Sequence, residues 1–170
     1  MSALLTQAIA GQFEAAFAMF NRCLEACPDE HWDALIAKYP FWQTAYHTLC
    51  FVDLYLSSGE KTWQPRTGPG GFHPLGWTEL DEEYPSRRFT KDELLAYAAL
   101  LAPMIRATIE GETAERLAGE SGFSRLTFSR AELHIYALRH VQHHAGQLGA
   151  RLRTLGVDPG RWVKSGLPDA

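Results

Sequence analysis

Four stretches of this chain repeat apolar residues at steps of three and four, a periodicity that only an α-helix turns into a single buried face. In the first, Leu5, Ile9, Phe13, Ala16, Phe17, Phe20 and Leu24 share one side, and the helix must end before Pro28. Pro40 suits the first turn of a second helix. Its Phe41, Trp42, Ala45, Tyr46, Leu49, Val52 and Leu56 are so apolar that most of its circumference needs cover, and Ser57, Ser58 and Gly59 stop it. A third helix opens on a capping box, Thr90 with Glu93, runs through Leu94, Tyr97, Ala98, Leu101 and Ile105 to Gly111, and is expected to kink at Pro103. A second capping box, Ser129 with Glu132, opens a last helix that carries Leu133, Leu138, Val141, Leu148 and Leu152 and ends at Gly156. No segment reads as a convincing strand.

Between the second and third helices, residues 59–89 carry Pro65, Gly68, Pro69, Gly70, Gly71, Pro74, Gly76 and Pro85, which interrupt both helix and strand. Irregular connections this long are uncommon unless functional or disordered. Trp63, Phe72, Trp77 and Tyr84 supply aromatic surface for packing, so an ordered crossover near a functional site is expected. A long connection also lets the helices it joins run parallel. The predicted fold class is therefore all-α: one domain over residues 1–170, a four-helix bundle in up-down-down-up order with a long crossover between helices 2 and 3.

Bulk properties narrow the function classes. A chain of 170 residues suits a single core. With 46% hydrophobic and 21% charged residues it matches ordinary globular usage, which argues against disorder or a fibrous form. A net charge of -4 offers no general attraction to a phosphate backbone, so no nucleic-acid partner is expected. Cys23, Cys27 and Cys50 are an odd set without disulfide spacing, which points to a reducing, cytoplasmic location. The opening residues lack a basic region, and no run of about 18 apolar residues is evident, so neither a signal peptide nor a membrane partner is expected.

The histidines carry the chemistry. Residues four apart on a helix lie about 40° from each other, so His140 and His144 emerge on one face. With Val141 at the centre of the inward stripe, His144 and His140 sit about 60° and 100° to one side, while His143 points about 160° away, toward solvent. Two such imidazoles can bind one divalent ion. His47, midway along the most apolar helix, is the best candidate for a third ligand, because a buried neutral imidazole needs a partner. Three neutral donors without thiolate or carboxylate match open catalytic sites better than closed structural ones.

The segment from Arg139 to Leu148, containing His140-Val141-Gln142-His143-His144-Ala145-Gly146-Gln147, with Leu152-Arg153-Thr154-Leu155-Gly156 after it, resembles the C-terminal helix signature of the DinB/YfiT-like superfamily. Trp42 with His47 five residues on resembles that family's second-helix element. The resemblance implies metal ligation by His47, His140 and His144, a frequently dimeric four-helix bundle, and a divalent cofactor: zinc or nickel first, manganese or iron as further candidates. It also implies a metal-dependent thiol S-transferase acting on a small-molecule substrate with a low-molecular-weight thiol. A metal-dependent hydrolase is the nearest enzymatic alternative, and a non-catalytic, stress-linked binding or dimerisation module is the alternative of another class.

Other residues read more plainly. His134 lies near the inward centre and is expected to be a satisfied core histidine; His31 and His73 fall in loops and are expected to face solvent. Cys23 and Cys27 share a helix face, which would allow a Cys2His2 site with His140 and His144, but two small apolar cysteines on a Phe-rich face are expected to pack in the core. Asp53, Gln43 and Gln147 are weak candidates for supporting a ligand, and Arg66, Arg87 and Arg88 for meeting a carboxylate. Substrate selection is expected from the aromatics between Trp63 and Tyr84. No residue reads as a dedicated general base, and catalytic residues stay unassigned.

Overall fold

The computed structural model describes residues 2–80 and 85–166; Tyr84 lies outside the described residues. The chain is mostly helical. Four long helices, α1 (Ser2–Ala26), α2 (Phe41–Leu56), α3 (Lys91–Glu110) and α5 (Arg130–Thr154), are joined by a short α4 (Ala114–Ala118) and by irregular segments. Among the described residues a lone bridge joins Glu120 to Ser129, and the strands form one small antiparallel hairpin, β1 (Leu35–Ile36) and β2 (Tyr39–Pro40), with Ile36 opposite Tyr39. Sequence periodicity had not signalled it, since two-residue strands leave no alternation to read.

Helix α1 lies against α3 and α5, and α2 lies against the same two. The shared interior is filled by the predicted faces: Phe13, Phe20, Leu24, Leu49, Leu101 and Leu148 are all fully buried. Each such side chain contributes about 1.5–3 kcal/mol by leaving water. Leu5, assigned to the same face, lies in the first turns of α1 and is 45% exposed. By length and apolar composition Ala3–Ala26 could cross a membrane, contrary to the expectation; within the fold, half of that window is buried among the other helices.

The helix ends show how local chemistry sets the element bounds. Thr90 and Glu93 form the predicted capping box, each side chain accepting from the other's backbone N–H. Ser129 accepts from the Glu132 N–H, but Glu132 returns no bond among the described residues, so α5 begins on half of the expected box. At its other end Gly156 adopts φ 78°, and the Val157 N–H reaches back to the Leu152 carbonyl while Gly156 reaches Arg153, a Schellman closure that favours glycine. α1 carries no basic residue in its last turn; instead Lys91, opening α3, donates to the Glu25 and Cys27 carbonyls at 2.7 and 3.0 Å. α3 continues through Pro103 as one element.

The crossover folds down onto α2 and α3 through a buried polar network. Asp53 of α2, 4% exposed, takes a two-point contact from the Arg66 guanidinium at 2.9 and 3.0 Å, and accepts the Tyr97 hydroxyl at 2.9 Å. The Arg66 N–H donates to His73 Nδ1 at 2.9 Å, which leaves the proton on Nε2 to bind the Tyr97 oxygen at 2.8 Å. His73, expected at the surface, is thus fully buried, because every polar atom of its ring finds a partner. Glu79 accepts from the Leu75 and Ser86 N–H groups and from Tyr46, whose hydroxyl also meets the Phe72 carbonyl. Phe72 stacks on Tyr97 with centroids 4.1 Å apart.

At the opposite end, His134 is 1% exposed and shares the Glu112 carboxylate with buried Arg130, as expected of a satisfied core histidine. Tyr97→Phe should cost about 1–3 kcal/mol in denaturant unfolding, because Asp53 and His73 each lose a buried partner. Limited proteolysis should then cut first within residues 57–80; unchanged stability and digestion would remove the network from any role in holding the crossover.

Candidate metal centre

α2 and α5 pack side by side, and each delivers imidazoles to the seam. The one-turn spacing of α5 sets His140 and His144 edge to face, with ring centroids 4.5 Å apart and planes at 85°, while α2 brings His47 to 5.1 and 5.0 Å from them. The rings converge through their ε nitrogens. His140 Nε2 stands 3.1 Å from His47 Nε2 and 3.1 Å from His144 Nε2, and one donor atom from each residue lies within 4.8 Å of the others. Phe51, one turn along α2, packs on His47 and His140 with centroids at 4.7 and 5.4 Å and walls one side in aromatic carbon.

Burial holds these rings neutral. It pushes His47 down to about 3, with His144 adding repulsion, and His140 down to about 2, with His144 and His47 adding theirs. His144 is also lowered, mainly by burial, with Gln147 opposing the shift. Its Nδ1 faces the Gln147 Oε1 at 2.8 Å, so the proton sits on Nδ1 and the Nε2 lone pair points into the cluster. His140 Nδ1 is buried and has no hydrogen-bond partner.

Those facts test the fit of a cation. If the His140 proton sits on Nε2 it can serve one neighbour and leaves Nδ1 an unpaired buried acceptor. If it sits on Nδ1, the Nε2 lone pair joins that of His144, a pairing that costs energy until a positive centre joins them. Nitrogens at about 2.0–2.1 Å from a tetrahedral ion lie about 3.3 Å apart, close to the spacing observed here. The donor set therefore suits a borderline divalent metal.

A cleft of about 480 Å³ opens beside the cluster. It is lined by Gln43 and His47 from α2, His144 and Gln147 from α5, and the hairpin residues 36–39. His143 is exposed, as the helical angle required, and stands at the cleft edge. The aromatics expected to select a substrate are elsewhere: the described residues between Trp63 and Leu80 line no part of this cleft, because the crossover is committed to the other face of α2. Asp53 likewise serves Arg66 and Tyr97 rather than His47. Arg87 and Arg88 pair with Glu93 and Asp33.

Cys23 and Cys27 take the core role. Their thiols donate to the Ala145 and Pro28 carbonyls, burial raises both to about 11, and neither sulfur belongs to the cluster that His140 and His144 form. Gln147, weak in sequence, orients a cluster histidine; the three-residue step from His144 places it within reach and was the available signal.

Three neutral imidazoles meeting between two helices, open to a cleft, define the class: a helical protein with a candidate divalent-metal centre. A comparison with curated proteins returns no match. The sequence profile of the DinB superfamily matches residues 12–148, a span that includes all three histidines, and the chain belongs to that superfamily.

Because these histidines titrate lower in the fold than the value near 6.5 of an unfolded chain, protonation favours unfolding below that value. The metal-free protein should keep a constant melting temperature from pH 8 to 7 and lose it steadily as pH falls from about 6.5 toward the depressed values near 3 and 2. A melting temperature unchanged between pH 7 and 4 would show that the rings are not held neutral.

Proposed function

We propose that His47, His140 and His144 together hold one divalent cation, zinc or nickel before manganese or iron. We read the protein as a metal-dependent S-transferase that joins a low-molecular-weight thiol to a small electrophile. The observation that carries this reading is the convergence of three ε nitrogens at 3.1 Å steps beside an open cleft. A closed structural site would bury a fourth protein ligand, whereas three donors beside a cleft leave a position for a reactant. Membership of the DinB superfamily supports the same assignment.

A bound cation would supply Lewis acidity that favours the anionic, nucleophilic form of a sulfur or oxygen ligand. The chain's own groups do the rest. Gln147 fixes the His144 tautomer, Phe51 keeps water from the rear of the cluster, and the cleft admits the reactants. The new carbon–sulfur bond forms as the leaving group departs from carbon, and the thiol proton passes to solvent.

The scaffold we infer is an up-down-down-up four-helix bundle. Support comes from paired ends: Lys91 caps α1 and Arg106 meets Glu14, so α3 opposes α1. His47 meets His140 and Tyr55 meets Tyr136, so α5 opposes α2; Phe89 against Tyr46 and Tyr97 against Asp53 make α2 and α3 parallel. The three free cysteines suit a reducing cytoplasm, and a homodimer follows the family resemblance.

Titration of metal-free protein with zinc or nickel should reach one equivalent, and His144→Ala should abolish stoichiometric uptake. Gln147→Leu should weaken affinity about 10–100-fold by releasing the ring it orients. Consumption of a small thiol by monobromobimane should run faster than the uncatalysed reaction only with added metal, and that excess should vanish in His144→Ala. Metal uptake without metal-dependent consumption of any thiol would favour the non-catalytic module.

A further inference from the structure

The cleft has a charge character of its own. Although the chain carries a net charge of -4, no aspartate or glutamate lines this cleft among the described residues, and Lys38 is its one lysine or arginine. The surrounding polar groups, Tyr39, Gln43, Gln147 and His143, are hydrogen-bond donors or can act as such. The cluster itself offers three neutral ligands and no carboxylate, so a divalent ion there would keep its full double positive charge.

The hairpin that presents Lys38 is held in a costly conformation. Ala37 has φ 54°, the left-handed region that L-residues other than Asn and Asp rarely occupy, and it is the one non-glycine residue with positive φ among those described. That turn sets its methyl in the cleft wall and the exposed Lys38 beside it, with the ammonium 4.7 Å from the Tyr39 ring centroid. A volume of about 480 Å³ is that of an ordinary small-molecule site.

We propose that this cleft selects small molecules bearing a carboxylate, with the anionic end at Lys38 on the hairpin and the donor atom toward the histidine cluster. The proposal rests on the metal reading above and adds to it the charge of the ligand.

Three thiols of similar size and different charge test it: 3-mercaptopropionate, 2-mercaptoethanol and cysteamine. Each is titrated into cobalt-loaded protein while sulfur-to-metal charge-transfer absorption is recorded. Binding of 3-mercaptopropionate should be about three- to tenfold tighter than that of 2-mercaptoethanol, with cysteamine weakest, and the margin should shrink with added salt. Lys38→Gln should erase the margin and Lys38→Arg should restore it, while cobalt uptake stays the same in both. Equal affinities for the three thiols, or a margin that survives Lys38→Gln, overturn the proposal and leave the metal reading standing. If cobalt does not bind, the metal reading fails instead. The backbone amide shifts of residues 37–39 in metal-free protein then decide the charge preference: a response to 3-mercaptopropionate and not to cysteamine upholds it, and any other pattern ends it.

Discussion

The seat of α2 on α5 is the constraint from which the candidate site follows. One residue of rotation about α2 would turn its side chains by about 100° and carry His47 away from the pair on α5. The register is kept by what flanks the histidine: Phe51 lies on His47 and His140, Tyr55 meets Tyr136 edge-on, and Ala45, Leu49 and Val52 fill the interior beneath. Packed interiors tolerate little sliding, so a set of apolar contacts holds three nitrogens in a small volume. The same packing removes the water that would otherwise stabilise the protonated rings.

α2 works in two directions. Its Asp53 and Tyr46 face the crossover, while His47 faces α5. Fixing an irregular segment costs roughly 1–2 kcal/mol of conformational entropy per residue, so a crossover of this length stays ordered only if buried contacts offset that loss. Trp63, His73 and Glu79, each under 5% exposed, mark where the offset is made. The helix that supplies one imidazole is thus braced from behind by hydrogen bonds and aromatic stacking.

The helices and the pair on α5 were legible in the sequence because helical spacing is a local property, while His47 was marked by its place on the most apolar helix and by the family resemblance. Thr90 with Glu93, the pair His140 and His144, and the outward turn of His143 all follow from steps of three and four. What escaped was long-range and aperiodic. Asp53 finds Arg66 and Tyr97 across 13 and 44 residues of chain, and His73 is buried by a turn that no repeat announces. The hairpin hid for a further reason: its turn begins on Ala37, where a glycine or asparagine would have marked it.

That hairpin hangs on its neighbours by local bonds, Phe41 N–H to the Ala34 carbonyl and Trp42 N–H to Trp32, and contributes none of the clustered imidazoles. One wall of the cleft can therefore change its chemistry while the donors stay where the helices put them. A lineage could diversify what it accepts by editing six codons at the hairpin, leaving the histidine cluster untouched.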